Sequence, residues 1–388
     1  MTLSLPPLSL YIHIPWCVKK CPYCDFNSHE NTQQGSELPE TEYLAQLKLD
    51  LLEDLSFAQG RSLKSIFIGG GTPSLMSAAF YADLLAFISQ KISFDLSIEI
   101  TLEANPGTTE AQRFVAYRRA GINRLSVGVQ SFHDTHLEKL GRIHSSDDAK
   151  RAIEQAKQAG FENFNIDLMH GLPGQSPDQA MSDLQQALSL EPTHLSWYQL
   201  TIEQNTEYFR HPPKLPTDDA LWDIQKSGMA FLAQNDFSQY EVSAFSLKGR
   251  EAQHNLNYWT FGDYIGIGAG AHSKVTLKND GLSDSKRILR YRKTRTPKDY
   301  LQKKPFFRVG EETIDKSELG FEFLMNVLRL NQGVDESLFY QRTGLPVMAL
   351  EPQLTELRQQ GLIEPAHLGA TNKGLLFLNT VLEKFTDI

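Results

Sequence analysis

The stretch Tyr11-Ile12-His13-Ile14-Pro15-Trp16-Cys17-Val18-Lys19-Lys20-Cys21-Pro22-Tyr23-Cys24 decides how the rest of this 388-residue chain is read. The apolar run Leu8 to Ile14 predicts a short strand. The loop after it carries three cysteines, separated by three and then two residues, and the chain has no others. Core packing gives no reason to group thiols so closely. An odd number of them, with no export signal ahead, makes a poor disulfide framework and favours metal ligation or redox chemistry. Thiolates at this spacing wrap a single metal centre. A cubane iron-sulfur cluster takes four thiolates, so three leave one iron to an exogenous ligand. A zinc ion completed by His13 or His29 is the alternative.

Outward from this loop the chain alternates strand-length apolar runs with amphipathic stretches, which predicts repeated β-α units around a parallel sheet. The strand candidates are Leu8 to Ile14, Lys64 to Ile68, Ser97 to Leu102, Arg124 to Val129, Phe164 to Met169 and Leu195 to Leu200. Helices are expected over Glu40 to Phe57, Ser77 to Ile92, Thr108 to Ala120, Asp147 to Ala159 and Pro177 to Leu188, with Gly121 and Gly160 as stops. In parallel α/β folds ligands gather at the carboxyl ends of the strands. Those ends are polar here: Gly69-Gly70-Gly71-Thr72 after the second strand, Glu103-Ala104-Asn105 after the third and Gln130 after the fourth. Arg142 stands in a later turn and Asp167 in the fifth strand. A zwitterionic, ribose-bearing ligand needs carboxylates or amides for its ammonium and hydroxyls and a cation for its carboxylate, and this set supplies them.

The three-cysteine spacing with Tyr23 before the last cysteine resembles the signature of the radical S-adenosylmethionine superfamily. That resemblance implies a 4Fe-4S cluster on Cys17, Cys21 and Cys24 and S-adenosylmethionine at the open iron. It also implies a partial (β/α)6 TIM-like barrel. The chain is similar, over nearly its whole length, to the coproporphyrinogen-oxidase-like branch. In that branch Tyr11, Tyr23, Gly70, Gly71, Thr72, Glu103, Gln130, Arg142 and Asp167 match cofactor-contacting positions. Two departures put the oxidase's own decarboxylation in doubt. The segment ahead of Cys17 is shorter than the oxidase's, and Cys24 is followed by Asp25-Phe26-Asn27-Ser28-His29 instead of a further Cys-Gly-Cys.

Farther on stand Gln253-His254-Asn255-Leu256-Asn257-Tyr258-Trp259 and the glycine-rich Gly266 to His272. The first resembles a motif of the haem chaperones of this branch, which makes haem the expected cargo and His254, Asn255, Tyr258 and Trp259 the expected contacts. An imidazole can ligate haem iron and the two aromatic rings offer flat faces to a macrocycle. The alternative is that His254 and Asn255 satisfy backbone groups while Tyr258 and Trp259 fill core. Three functions therefore stay open: a chaperone that hands haem to recipient haemoproteins, a radical enzyme acting on a tetrapyrrole, and a cluster or electron carrier. Retained radical chemistry would bring in an electron donor such as a flavodoxin or ferredoxin.

Residues 1–273 read as the cluster-bearing core with the haem motif as an extension, 274–310 as a basic linker, and 311–388 as a mostly helical, winged-helix-like domain. With 38 basic and 47 acidic residues the net charge is -9, which argues against nucleic acid as a partner. No signal sequence or apolar run of membrane-spanning length is legible, so a cytoplasmic location is expected. Peripheral membrane contact and a cluster-dependent homodimer are left open.

Overall fold

The computed structural model describes residues 5–30, 38–107, 113–278, 286–303 and 306–386. All six expected strands are present: β1 (Leu8–Ile14), β2 (Leu63–Gly70), β3 (Phe94–Ala104), β4 (Arg124–Gln130), β5 (Phe164–His170) and β6 (His194–Gln199). Six further strands follow: β7 (Ser238–Glu241), β8 (Ala244–Ser246), β9 (Asp263–Ile267), β10 (His272–Lys278), β11 (Lys286–Lys293) and β12 (Arg308–Thr313). They form one sheet in the order β12-β11-β10-β9-β1-β2-β3-β4-β5-β6-β8-β7. The pairings from β9 through β1 to β6 are all parallel, and both flanks are antiparallel. The run is open at its ends, an incomplete barrel.

β1 lies near the middle of the sheet and is buried on both faces: Leu8, Leu10, Ile12 and Ile14 take one face, while Ser9, Tyr11 and His13 on the other find hydrogen-bond partners. The crossover helices are Glu40–Asp54, Ala78–Lys91, Ser146–Gln158 and Pro177–Ser189. Ser145 and Ser176 each close a capping box at the start of the last two. Part of the helix expected over Thr108 to Ala120 lies outside the described residues, and its described part is Phe114–Arg119. No helix among the described residues is long and apolar enough to cross a membrane.

The stretch expected as a basic linker is structured instead. Its described residues build most of β10, all of β11, a helix at Pro297–Leu301 and the start of β12, and so extend the sheet. Strand alternation explains how so many cations fit: in β11, Arg287 and Arg292 are exposed while Ile288, Leu289 and Tyr291 are buried. Within β11, Lys293 is the exception. It is fully buried, 2.5 Å from Asp50 and 2.6 Å from Asp54 of the helix Glu40–Asp54. Lys293→Met is expected to leave two buried carboxylates facing each other and to cost about 3 kcal/mol. Arg308, 3.6 Å from Asp54, should hold the loss at that lower end. Urea unfolding checks it, and an unchanged midpoint would refute the pairing.

The C-terminal region is helical, with helices at Leu319–Val327, Glu336–Thr343 and Gln353–Gln359 and two short ones after Asn372. The extended segment expected at Leu362 to His367 forms only single antiparallel bridges, Ile363 to Ala370, with Leu368 bridging to Val334. This region packs on the sheet extension through a core that includes Phe261, Ile288 and Phe323.

Candidate cluster and cofactor site

The loop after β1 is fixed by short backbone bonds to the loop after β2. The amide of Gly71 donates to Ile14 O at 2.7 Å and that of Thr72 to Trp16 O at 2.7 Å. This approach requires glycine. A Cβ on Gly71 would lie 2.5 Å from Trp16 O and 3.1 Å from Cys17 Sγ, and Gly70 combines φ of 116° with a Cβ position 2.6 Å from the His13 ring. Trp16–Cys17 pairs in parallel with His29–Glu30, so the cysteine loop is closed on itself. Asn27 then pins it to the sheet extension, donating to Ala269 O and Arg295 O at 2.9 Å each.

Cys17, Cys21 and Cys24 all line one cavity of about 460 Å3 at the carboxyl ends of the strands. Burial pushes the Cys17 and Cys24 thiols up, and hydrogen bonds from Ser28, joined at Cys17 by Thr72, partly oppose it. Arg142 Nη1 lies 3.8 Å from Cys21 Sγ. The alternative of a single zinc ion fits poorly. His13 has one ring nitrogen 2.9 Å from the Tyr11 hydroxyl and the other 3.0 Å from Asn27 O, while His29 bonds Asn27 Oδ1 at 3.1 Å. Among the described residues no three His, Cys, Asp or Glu side chains converge tightly enough to hold one metal ion. A cubane cluster is wider than an ion and asks for thiolates set farther apart.

The same cavity is lined by Tyr23, Gly70, Gly71, Thr72, Glu103, Gln130, Arg142 and Asp167. Tyr11 is the exception, standing on the far side of Gly70 and Glu103 against a neighbouring cavity. Glu103 Oε2 accepts from the Gly70 amide at 3.1 Å. Burial, reinforced by the nearby Asp167 carboxylate, pushes Glu103 up to about 8. Asp167, itself raised by burial, accepts from Ser126 Oγ at 3.0 Å and Asn165 Nδ2 at 2.7 Å. Arg142 Nη2 donates to Asn105 Oδ1 at 2.8 Å and Gly128 O at 2.7 Å, while its Nε is buried with no hydrogen-bond partner among the described residues. Gln130, in a left-handed backbone conformation at φ 71°, accepts from the Tyr198 hydroxyl at 3.0 Å. Three glycine-loop positions, two raised carboxyls and one buried guanidinium with a free N-H suit a ligand carrying an ammonium, a carboxylate and hydroxyls. The residues therefore fit both the cluster and its small zwitterionic ligand.

Asn105, quoted above with the polar end of β3, joins this lining, as do Ser126 and Tyr198, which were not expected there. Asn105 had a signal, standing in the polar end of β3 two residues after Glu103. Ser126 is placed by register alone, facing Glu103 on one side and Asn165 on the other.

The helix Gln253–Trp259 divides the four motif residues between two faces. Spacing of four sets His254 beside Tyr258 and Asn255 beside Trp259. Asn255 and Trp259 line the cluster cavity; Tyr258 and Trp259 line the neighbouring one. His254 lines neither. Its Nδ1 lies 3.2 Å from Glu99 Oε1, and its ring stacks on Phe67 at 4.0 Å. Burial raises Glu99, but Arg124, 3.8 Å away, together with the His254 bond brings it down to about 2, so the carboxylate is ionised. Burial lowers His254, which sits there as a neutral donor.

A Radical SAM superfamily model matches residues 11–187 and a HemN C-terminal domain model residues 314–377. The chain is 50% identical over 385 residues to "Heme chaperone HemW" of Escherichia coli strain K12, covering 99% of each chain. It is 35% identical over 387 residues to the Bacillus subtilis strain 168 protein of that name, covering 97% of this chain and 98% of the other. Among solved structures, the E. coli coproporphyrinogen III oxidase HemN, a radical SAM enzyme, superposes with a TM-score of 0.81 at 24% identity, over 98% of this chain and 90% of that one. That likeness shows a common fold. With one-half identity to such a relative from end to end, this chain belongs to the HemW family.

Proposed function

We propose that this chain binds haem and delivers it to recipient haemoproteins, and that its strand-end cavity holds a 4Fe-4S cluster on Cys17, Cys21 and Cys24 with S-adenosylmethionine at the remaining iron. The observation that carries this reading is the 50% identity to a heme chaperone across 99% of both chains. When bound, the cluster offers an open iron to the amino and carboxylate groups of the cofactor and a source of electrons. The chain's own groups then orient that cofactor. Glu103 would accept from an N-H of the cofactor's amino group and Arg142 would donate to its carboxylate. Asp167 and Gln130 are placed for the hydroxyls, and Gly70, Gly71 and Thr72 keep side-chain bulk out of the way. Tyr11 acts from behind Glu103, and Tyr23 covers the cluster loop.

Haem as cargo places no demand on a cleaved cofactor, so the electron donor is a partner only if radical chemistry occurs. Thiols confined to one loop suit the reducing cytoplasm. Self-association tuned by the cluster is read by sizing the loaded and cluster-free forms, and equal apparent masses would exclude it.

The test is anaerobic reconstitution with iron and sulfide, haemin titration, and transfer to an apo-haemoprotein, run beside a coproporphyrinogen assay. Saturable haem binding and transfer without porphyrinogen turnover is the expected result. Turnover without stable haem binding would make the chain a tetrapyrrole enzyme.

A further inference from the structure

Beside the cluster cavity, and sharing Phe26, Gly70, Glu103 and Trp259 with it, lies a second cavity of about 540 Å3. Its size falls in the ~300–1,000 Å3 range of sites that enclose small organic ligands. Aromatic rings supply much of the wall, with the charged Glu103 and Lys274 among them: Phe26 comes from the cluster loop, Tyr258 and Trp259 from the helix Gln253–Trp259, and Tyr264 from β9. The Tyr258 and Tyr264 rings meet edge to face with centroids 4.8 Å apart. His272, the first residue of β10, is an exposed residue on the wall. A third cavity, which contains Arg292, meets the second at Tyr264, His272 and Arg290.

We infer that this aromatic cavity is the seat of the planar tetrapyrrole, with the His272 imidazole as axial ligand to its iron and Arg292 at the mouth facing its carboxylates. The inference rests on the haem reading above and adds the location and the ligand. Two imidazoles line the cavity, and they differ in availability. Both ring nitrogens of His13 are engaged, by Tyr11 and Asn27. No hydrogen bond from the described residues holds either ring nitrogen of His272. His254 is set back. Phe67, which lines the cavity, stacks on its ring, and Glu99 holds its Nδ1.

The mouth also ties the cavity to the C-terminal region. Arg290 makes a two-pronged ion pair with Glu322 of the helix Leu319–Val327, and Asn326, one turn on, lines the cavity. Arg290 is thereby held in place, while Arg292, exposed on β11, has its charge available to an anion. Flat aromatic faces, one imidazole and the guanidinium of Arg292 form a donor set for an iron tetrapyrrole dicarboxylate.

Full-length, cluster-reconstituted protein titrated with haemin tests this, read by Soret absorbance and by the electron paramagnetic resonance of the ferric haem. His272→Ala should lose the histidine-ligated signature and weaken binding about tenfold or more, and added imidazole should restore the spectrum. His272→Met should bind haem with a thioether-type spectrum, a gain that a misfolded chain could not give. Unchanged spectrum and affinity in His272→Ala, or loss of the signature in His254→Ala alone, would overturn the assignment. Wild-type protein that binds no haem would instead sink the chaperone reading, and this inference with it.

Discussion

A chain carrying Cys17→Ser, Cys21→Ser and Cys24→Ser is expected to emerge from anaerobic reconstitution with iron and sulfide contents at background. Its visible absorbance should be lost along with them. The reason lies in supply: the sequence holds three cysteines, all of them lining one cavity. The loop itself should stay folded, because backbone bonds from Gly71 and Thr72, the pairing of Trp16–Cys17 with His29–Glu30, and the Asn27 anchor do not need the thiols. Circular dichroism should therefore match wild type. Retention of a full iron complement by the triple variant would mean that the metal sits elsewhere and that the site is misassigned.

The second large effect concerns Glu103, where stability and binding are expected to move in opposite directions. Its carboxyl is pushed from an ordinary value of 4.5 up to about 8 by burial and by Asp167. A folded-state value above the unfolded one means the folded chain holds the proton more tightly. The favourable contribution is therefore full below about pH 4.5 and is lost as pH rises to about 8. Glu103→Gln removes the buried charge while keeping an oxygen for the Gly70 amide. Without ligands, the variant should match wild type near pH 5 and exceed it at pH 9, by on the order of 4 kcal/mol at most. Binding of S-adenosylmethionine should fall by one to two orders of magnitude, since the hydrogen bond from the cofactor's amino group to a carboxylate, worth roughly 1.5–3 kcal/mol, would be lost. Thermal unfolding at the two pH values and equilibrium dialysis read the two effects. Parallel stability curves together with unchanged affinity would show that Glu103 has no such role.

This opposition shows why much of the site is legible in the amino-acid sequence. A ligand with an amino group, a carboxylate and hydroxyls demands unusual residues where a parallel sheet presents them, and Glu103 near the end of β3, Asp167 within β5 and Arg142 in a turn beyond β4 stand out as charges there. The six core strands are legible for a related reason. A buried strand needs an aliphatic residue at least at every second position, and β1, marked by Leu8, Leu10, Ile12 and Ile14, has its expected bounds, Leu8–Ile14. β9 is hidden because its sequence, Asp263–Ile267, runs straight into the glycines of the next turn, and its parallel pairing with β1 joins residues far apart in the chain. The sheet extension reads as linker because cations dominate it. The buried partners of Lys293 lie on a helix more than 200 positions earlier, so no local pattern announces them. Tyr198 and Ser126 are hidden likewise, since their roles come from register and from side chains on adjacent strands. His254 illustrates the converse. The motif around it is legible as a unit, but only the helix geometry shows that Asn255, Tyr258 and Trp259 reach cavities and that His254 turns toward Glu99.

The most direct test of the central claim is the electron paramagnetic resonance spectrum of the reduced, reconstituted protein with and without S-adenosylmethionine. A three-thiolate cluster with its fourth iron open must change its spectrum when the cofactor's amino and carboxylate groups take that position, and Arg142→Ala and Glu103→Gln should blunt the change. A spectrum indifferent to S-adenosylmethionine at saturating concentration would contradict the account, because the iron would then be closed or the cavity would serve another ligand.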